Sequence, residues 1–315
     1  MKTTNLIVGG LLLIGALISG CNKAEVIPAP TMEGTETVSI SDRFKEYMNS
    51  KVQTYVVDAN TPTTIYGNQG TEVVLSGSNF SVNGNVTLEL LEIYKKSDMV
   101  LMNKATLANQ GGQIVPISSG GEFRITVTQN GAPVQIVNDI TVSTNPSSTT
   151  ASNMELFGGT TDAEGNIIWD ADGTLTFGQD SLNTSFWYDF PFSGDYDWIN
   201  CDYFWSYPNP QTVVTANLPA ICDGTNSAVF MVFTAENATT KLSSAGANSS
   251  VFETGGSYTV PEGLGLHFVV VSEIAGQLKY AIQQSTIVSN HVETIPALTD
   301  VNSLAELGVI LDGVF

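Results

Sequence analysis

Along Phe123-Arg124-Ile125-Thr126-Val127-Thr128 apolar and polar residues change places at every step, the period of a strand with one buried face. Val86-Thr87-Leu88-Glu89-Leu90 alternates in the same way, and then Leu91 and Ile93 take the opposite phase, a shift that predicts a bulge near Leu90. Thr64–Tyr66, Glu72–Leu75, Val134–Val137 and Ile140–Val142 are short β-branched runs, and Asn83-Gly84 and Asn130-Gly131 have the composition of tight turns between strands. From Tyr55 to Ser143 no helical period interrupts them, so the pattern predicts an all-β domain over residues 53–144.

Residues 145–152, Asn145-Pro146-Ser147-Ser148-Thr149-Thr150-Ala151-Ser152, have almost nothing to bury and read as a linker. Strand patterns resume at Met154–Phe157, Ile167–Trp169, Thr174–Phe177, Val213–Leu218, Val229–Phe233 and Ser257–Val260. They end in a hairpin of Leu266–Ile274 with Gln277–Gln283 turning at Ala275-Gly276. Two packed antiparallel sheets are expected, giving a second β-sandwich-like domain over 153–315. Ser303 and Glu306 have capping-box spacing, and Leu304, Leu307, Leu311 and Val314 recur at helical spacing, so a short C-terminal helix is predicted to dock on that domain. Before the first domain, 21–52 reads as a tether stiffened by Pro28-Ala29-Pro30, with a span on the order of 30 Å. Within it Phe44, Tyr47 and Met48 mark one or two helical turns that need docking to persist.

The chain opens differently. Lys2, an apolar run from Leu6 to Ile18, and Ile18-Ser19-Gly20-Cys21 combine a positive start, an apolar stretch too short for a stable membrane span, and small residues before a cysteine. This resembles a bacterial lipoprotein signal, which implies removal of residues 1–20, acylation of Cys21 and attachment of the body to a membrane through that lipid. Formal charge is −20 for the whole chain and −21 without the leader, 31 acidic against 10 basic side chains. Such a surface excludes nucleic acid as a partner, because that binding relies on cationic neutralisation of phosphates. With 13% charged and 42% hydrophobic residues the composition is that of an ordered exported β-protein, not a disordered acidic tail.

Two longer segments extend the resemblance. Thr64–Thr71, Val86–Leu101 and Ser119–Phe123 resemble a module of lipoproteins from Bacteroidetes-type bacteria. Trp187–Phe192, Asp197–Phe204 and Pro208-Asn209-Pro210 are similar to the second half of the same proteins. The resemblance implies an outer-membrane, lipid-anchored all-β protein, facing the periplasm or the cell surface, and supplies no catalytic residue. Asn22-Lys23-Ala24-Glu25 matches poorly the acidic export signal that some of these proteins carry after the cysteine.

The densest chemistry lies between Phe186 and Tyr207, which hold eleven of the 28 aromatic residues, interleaved with Asp189, Asp195, Asp197, Asn200 and Asp202. Rings beside carboxylate and amide acceptors suit a sugar platform, for which Trp187, Trp198, Tyr203, Trp205, Asp197 and Asp202 are the candidates. The competing reading is a packed core. Cys201 and Cys222 are 21 residues apart and either form a disulfide or stay as buried thiols. Asp162–Asn166 and Asp170–Gly173 are acidic turns without calcium-loop spacing, and Asp180-Ser181-Leu182 resembles a short O-glycosylation sequon at Ser181. His267 and His291 sit in strand patterns, and no nucleophile, zinc or phosphate-loop motif is present. No metal or other cofactor is expected. The sequence therefore predicts a non-enzymatic envelope lipoprotein, a module that binds a glycan or an envelope protein or has a structural role in the envelope, with a carbohydrate-active hydrolase built on paired carboxylates as the alternative.

Overall fold

A computed structural model describes residues 38–144, 154–161, 166–171, 176–179, 186–254 and 256–315, with 176–179 and Phe186 described by backbone alone. Cys21, the leader, the 145–152 segment and Ser181 lie outside the described residues.

The first described element is α1 (Ile40–Ser50). It opens with a capping box: the Asp42 N–H donates to Ser39 Oγ at 3.1 Å, and the Ser39 N–H donates to Asp42 Oδ2 at 3.3 Å. Ile40, Phe44 and Tyr47 fall on one side and are buried, and Arg43 pairs with Glu273 at 2.9 Å. These contacts correct the tether boundary at residue 52. The helical turns are docked, so the body begins by residue 40.

Next come β1 (Gln53–Asp58), β2 (Thr63–Tyr66), β3 (Glu72–Leu75), β4 (Asn85–Ile93), α2 (Lys96–Leu101), β5 (Leu107–Gln110), β6 (Gln113–Gln129), β7 (Ala132–Pro133) and β8 (Ile140–Thr144). They are followed by β9 (Glu155–Thr161), β10 (Ile167–Ala171), β11 (Thr176–Gln179), β12 (Phe186–Phe192) and β13 (Trp198–Phe204). One sheet runs β1-β4-β6-β13-β9-β10-β5 and returns to the long β6 through β5; the other runs β11-β12-β8-β3-β2. Their facing side chains, among them Val73, Leu88, Phe123, Val142 and Phe190, form the core of a sandwich.

The second sheet body contains β14 (Gln211–Thr212), β15 (Val214–Asn217), β16 (Ser227–Phe233), β17 (Thr239–Ser244), β18 (Val251–Glu253) and β19 (Val260–Pro261). It continues through β20 (Gly265–Ile274), β21 (Gln277–Thr286), β22 (His291–Thr294) and β23 (Thr299–Asp300), and α3 (Leu304–Asp312) closes the chain. Its main sheet runs β22-β15-β18-β17-β16-β20-β21-β23 and encloses Val229, Met231, Phe233, Phe252, Phe268 and Val270. The fold is thus mostly β with two multi-strand sheet bodies and a short C-terminal helix.

The division between the bodies differs from the one read at 145–152. β9, β10 and β13 add to the sheet that holds β4 and β6, and β12 pairs directly with β8. Alternation reports that a strand has a buried face but not which strand lies beside it, so a polar stretch of sequence between two strands of one sandwich reads as a boundary. Two pairings, β10 with β5 and β15 with β22, are parallel, where antiparallel sheets alone were expected. Asn83-Gly84 does not join partners either: β3 and β4 lie in different sheets. At Ala275-Gly276 the hairpin forms as expected, with φ of 53° and 81° at its two central residues.

A third apolar cluster explains the phase change in β4. Leu90 packs inside the first sandwich, whereas Leu91 and Ile93 face a central layer that also takes Phe44 and Tyr47 from α1, Met99 to Met102 around α2, and Leu304, Leu307 and Leu311 from α3. Phe230, Val232, Val269 and Val271 cover that layer from the second body. The β4 register stays in step through Leu90 and Leu91, so burial on both faces replaces the expected bulge. The same two-sided burial covers every residue of β16. α2, unexpected in a domain predicted to be all-β, is short and buried along Ser97–Leu101.

α3 keeps its predicted cap, the Glu306 N–H donating to Ser303 Oγ at 3.1 Å, while the Glu306 carboxylate accepts from Asn302. Leu304, Leu307 and Leu311 are buried as the stripe requires, and Val314 is exposed. Gly308 lets the helix approach closely, since a Cβ there would stand 3.1 Å from Leu101 Cδ1. Because Leu307 is fully enclosed between both bodies, Leu307→Ala should lower unfolding free energy by about 2–4 kcal/mol in urea titrations.

Candidate functional site

Beside α1 a cleft of about 770 Å³ opens against the first sandwich, within the size range of small-ligand sites. Its walls come from α1 (Phe44, Lys45, Met48), the turn after α2 (Met102 to Lys104), β6 (Arg124 to Val127), the stretch after β7 (Val134 to Ile136) and the β12–β13 connection (Ser193 to Trp198). That connection is shaped locally: Gly194 has φ 83°, and Ser193 Oγ donates to Asp195 at 2.7 Å. Gly158 in β9 leaves room for the Tyr196 ring, which would clash with any Cβ at that position, and its neighbour Gly159 does the same for Trp169.

Trp198 forms the floor at 2% exposure. Lys104 Nζ lies 4.9 Å and Arg124 Cζ 5.4 Å from the ring centroid, so the indole holds two cations, Arg124 half-buried in the cleft wall and Lys104 buried behind it. Asn103 adds a strained element. Its φ is 55°, its side chain is buried, and its Oδ1 has no hydrogen-bond partner among the described residues although it lines the cleft. A second cleft of about 630 Å³ lies along α1, shares Ser41, Phe44 and Asn103, and has apolar walls including Ile114, Ile168 and Phe252.

The aromatic platform is divided. Tyr188, Phe190 and Phe192 of β12 point inward, which sends Trp187 to the other face, where its Nε1 donates to Asp189 at 3.2 Å. On β13, Ile199 and Cys201 face the sandwich interior and Trp198 the central layer. Tyr203 and Tyr207 both donate to Glu236 at 2.5 Å, and Trp205 packs edge-on to Phe233 in the second body. Of the six candidates only Trp198 and Asp197 meet at the cleft. Lys45, Lys104 and Arg124 were missed as site residues; their signal was the scarcity of cations in so acidic a chain.

Cys201 and Cys222 are free and buried, which corrects the disulfide alternative. Cys201 packs with Met154 and Tyr188 and Cys222 in the core of the second body, so the two thiols belong to separate clusters. Burial pushes the Cys201 thiol well above its usual range. Among the described residues no group of three or more His, Cys, Asp or Glu side chains is placed to hold a metal.

Asp202 lines neither of these two clefts. It is fully buried on β13 near Glu122 of β6, where a register shift between Asn200 and Asp202 meets Gly120 and Gly121. Asn200 Nδ2 donates to Asp202 Oδ2 at 2.5 Å, while Asp202 Oδ1 and both Glu122 oxygens have no hydrogen-bond partner among the described residues. Desolvation raises both carboxyls well above the usual range; the Glu122 charge adds to the shift at Asp202, and Lys104 opposes it at Glu122. The phenol of Tyr94, nearby in the same sandwich, is pushed up to about 12, chiefly by burial.

No family model matches the chain, and no curated protein matches it in sequence.

A carboxyl whose proton is held more tightly in the folded state opposes folding once the unfolded chain ionises. Its penalty is absent below the ordinary carboxylate range, grows as pH rises through the raised folded value, and is constant above it. Asp202→Asn keeps an acceptor for Asn200 and replaces an unpartnered oxygen with a donor. Thermal melts should show this variant more stable than the parent at pH 8, with the difference vanishing towards pH 4.

Proposed function

We propose that this protein is a lipid-anchored envelope protein, acylated at Cys21, whose body binds a glycan in the cleft beside α1 without turning it over. The observation that carries the reading is a strained, buried amide, Asn103, which lines the same cleft as Trp198 and whose Oδ1 lacks a partner among the described residues. A carbonyl oxygen in that state gains from a sugar hydroxyl what the fold does not supply. Tyr196, Thr126, Gln135 and Asp197 add further polar groups around the same space. Recognition then runs through polar groups in a cleft, not through an open stack of indoles.

The hydrolase alternative has less support. Glycoside hydrolysis needs two carboxyls flanking the substrate, one with a raised pKa. The strongly perturbed pair, Glu122 and Asp202, is sealed in the sandwich and lines neither cleft. Membrane attachment, outer-membrane location and the family resemblance rest on the sequence pattern around Cys21 and on the quoted segments.

Two measurements test the proposal. Cys21→Ser should move the protein from the detergent to the aqueous phase on temperature-induced partitioning; retention in the detergent phase would refute the anchor. In calorimetric titrations of the detergent-solubilised full chain against neutral and acidic tetrasaccharides, at least one should bind without release of reducing ends. Asn103→Ala should weaken that binding by roughly three- to tenfold, while Trp205→Ala, outside the cleft, should leave it intact. Absence of binding by every tetrasaccharide sinks the glycan reading, and release of reducing ends favours the hydrolase.

A further inference from the structure

We propose that the cleft selects acidic glycans, with the Arg124 guanidinium reading the carboxylate of a uronic acid. The inference rests on the glycan reading of this cleft and adds the class of sugar.

Cations are rare in this chain, 11 against 31 acidic residues, yet Lys45, Lys104 and Arg124 all line this one space. Arg124 is the decisive group. Its side chain is half-buried in the wall, and it makes no hydrogen bond or ion pair with any other described residue; Glu89 and Asp197 act on its charge only at longer range. A guanidinium carries five donors in a planar fork, and leaving them unmatched while partly desolvated is costly. Arg43, by contrast, is paired with Glu273 at 2.9 Å.

The geometry also places the guanidinium. Arg124 sits on β6 opposite Leu91 of β4, and its Cζ lies 5.4 Å from the centroid of the buried Trp198 ring. Lys104 lies 4.9 Å from the same centroid, with its charge acting inward on Glu122. The indole thus holds one cation towards the buried acid and the other in the cleft wall. Planar two-point recognition of a carboxylate is what an arginine in that setting does best. Asp195 and Asp197 line the same cleft and are solvent-exposed, so the arrangement rejects anions that lack further hydroxyl contacts to Asn103, Thr126 and Gln135.

The probe is tetragalacturonate, compared with the same oligosaccharide carrying methyl-esterified carboxyls, titrated into the detergent-solubilised full chain. The acid should bind at least about tenfold more tightly than the ester. Arg124→Gln should erase most of that difference, and Arg124→Lys should restore part of it. The comparison of acid with ester on the native chain needs no variant, so a folding defect in either substitution leaves it decisive. Equal binding of acid and ester overturns the selectivity while leaving a glycan site in place. Binding of neither, with neutral tetrasaccharides still bound, also overturns it alone. Failure of every tetrasaccharide removes both readings. Competition by sodium acetate at the same molar level as the oligosaccharide would make the cleft a bare anion site and overturn the proposal.

Discussion

The structure depends on one apolar layer that is shared by elements far apart in the chain. α1, α2 and α3 lie in it, the ends of β4 and β13 border it, and β16 and β20 cover it from the second body. None of these helices is long enough to persist alone, and α2 has only six residues. Each is held because its apolar side chains remove the others from water, and the two sheet bodies lose a face if the layer is opened. Polar ties join the same elements: Lys95 to Asp312 at the surface, Arg43 to the buried Glu273, and the Tyr47 hydroxyl to Asp98 in a buried hydrogen bond of 3.0 Å. Burial of apolar surface provides the greater stabilisation, since exposed ion pairs contribute little.

That layer also places the cleft. α1 can form one wall only because it docks, and Lys104 and Asn103 reach the cavity because α2 ends there with Met99 to Met102 anchored in the layer. Trp198 links the two regions: it is part of the central layer, and it is the floor against which two cations are held. Behind it, Lys104 partly offsets the cost of burying Glu122. A strained asparagine, an unmatched guanidinium and a sealed acid pair occur within one neighbourhood of a fold that is otherwise regular, and such local costs concentrate where a protein meets its ligand.

Much of this was legible in residue patterns. Phe123 to Val127 became part of β6 with the expected inward residues, the Ala275-Gly276 turn formed, and Ser303 caps the last helix. Other features were legible only ambiguously. Leu90 followed by Leu91 looks like a slipped register when one buried face is assumed, and is explained by two. The candidate platform misled for a related reason. Nearness in sequence along Phe186 to Tyr207 was read as nearness in space, but the pleat sends successive side chains to opposite faces and the bulge near Asp202 resets the phase again. Arg124 appeared as no more than a polar step in an alternating strand, because its surroundings come from α1 and the β12–β13 connection.

Composition and period, then, determined the class of this protein: a β-rich, acidic body with a terminal helix. These properties are local or additive, so a single chain displays them without reference to its partners in space. Which strands pair across 145–152, which helices share a core, whether Cys201 meets Cys222, and which cations surround Trp198 were decided only by tertiary structure. Each of those depends on contacts between residues tens to hundreds of positions apart, and alternation along a strand carries the side of burial but not the identity of the neighbour.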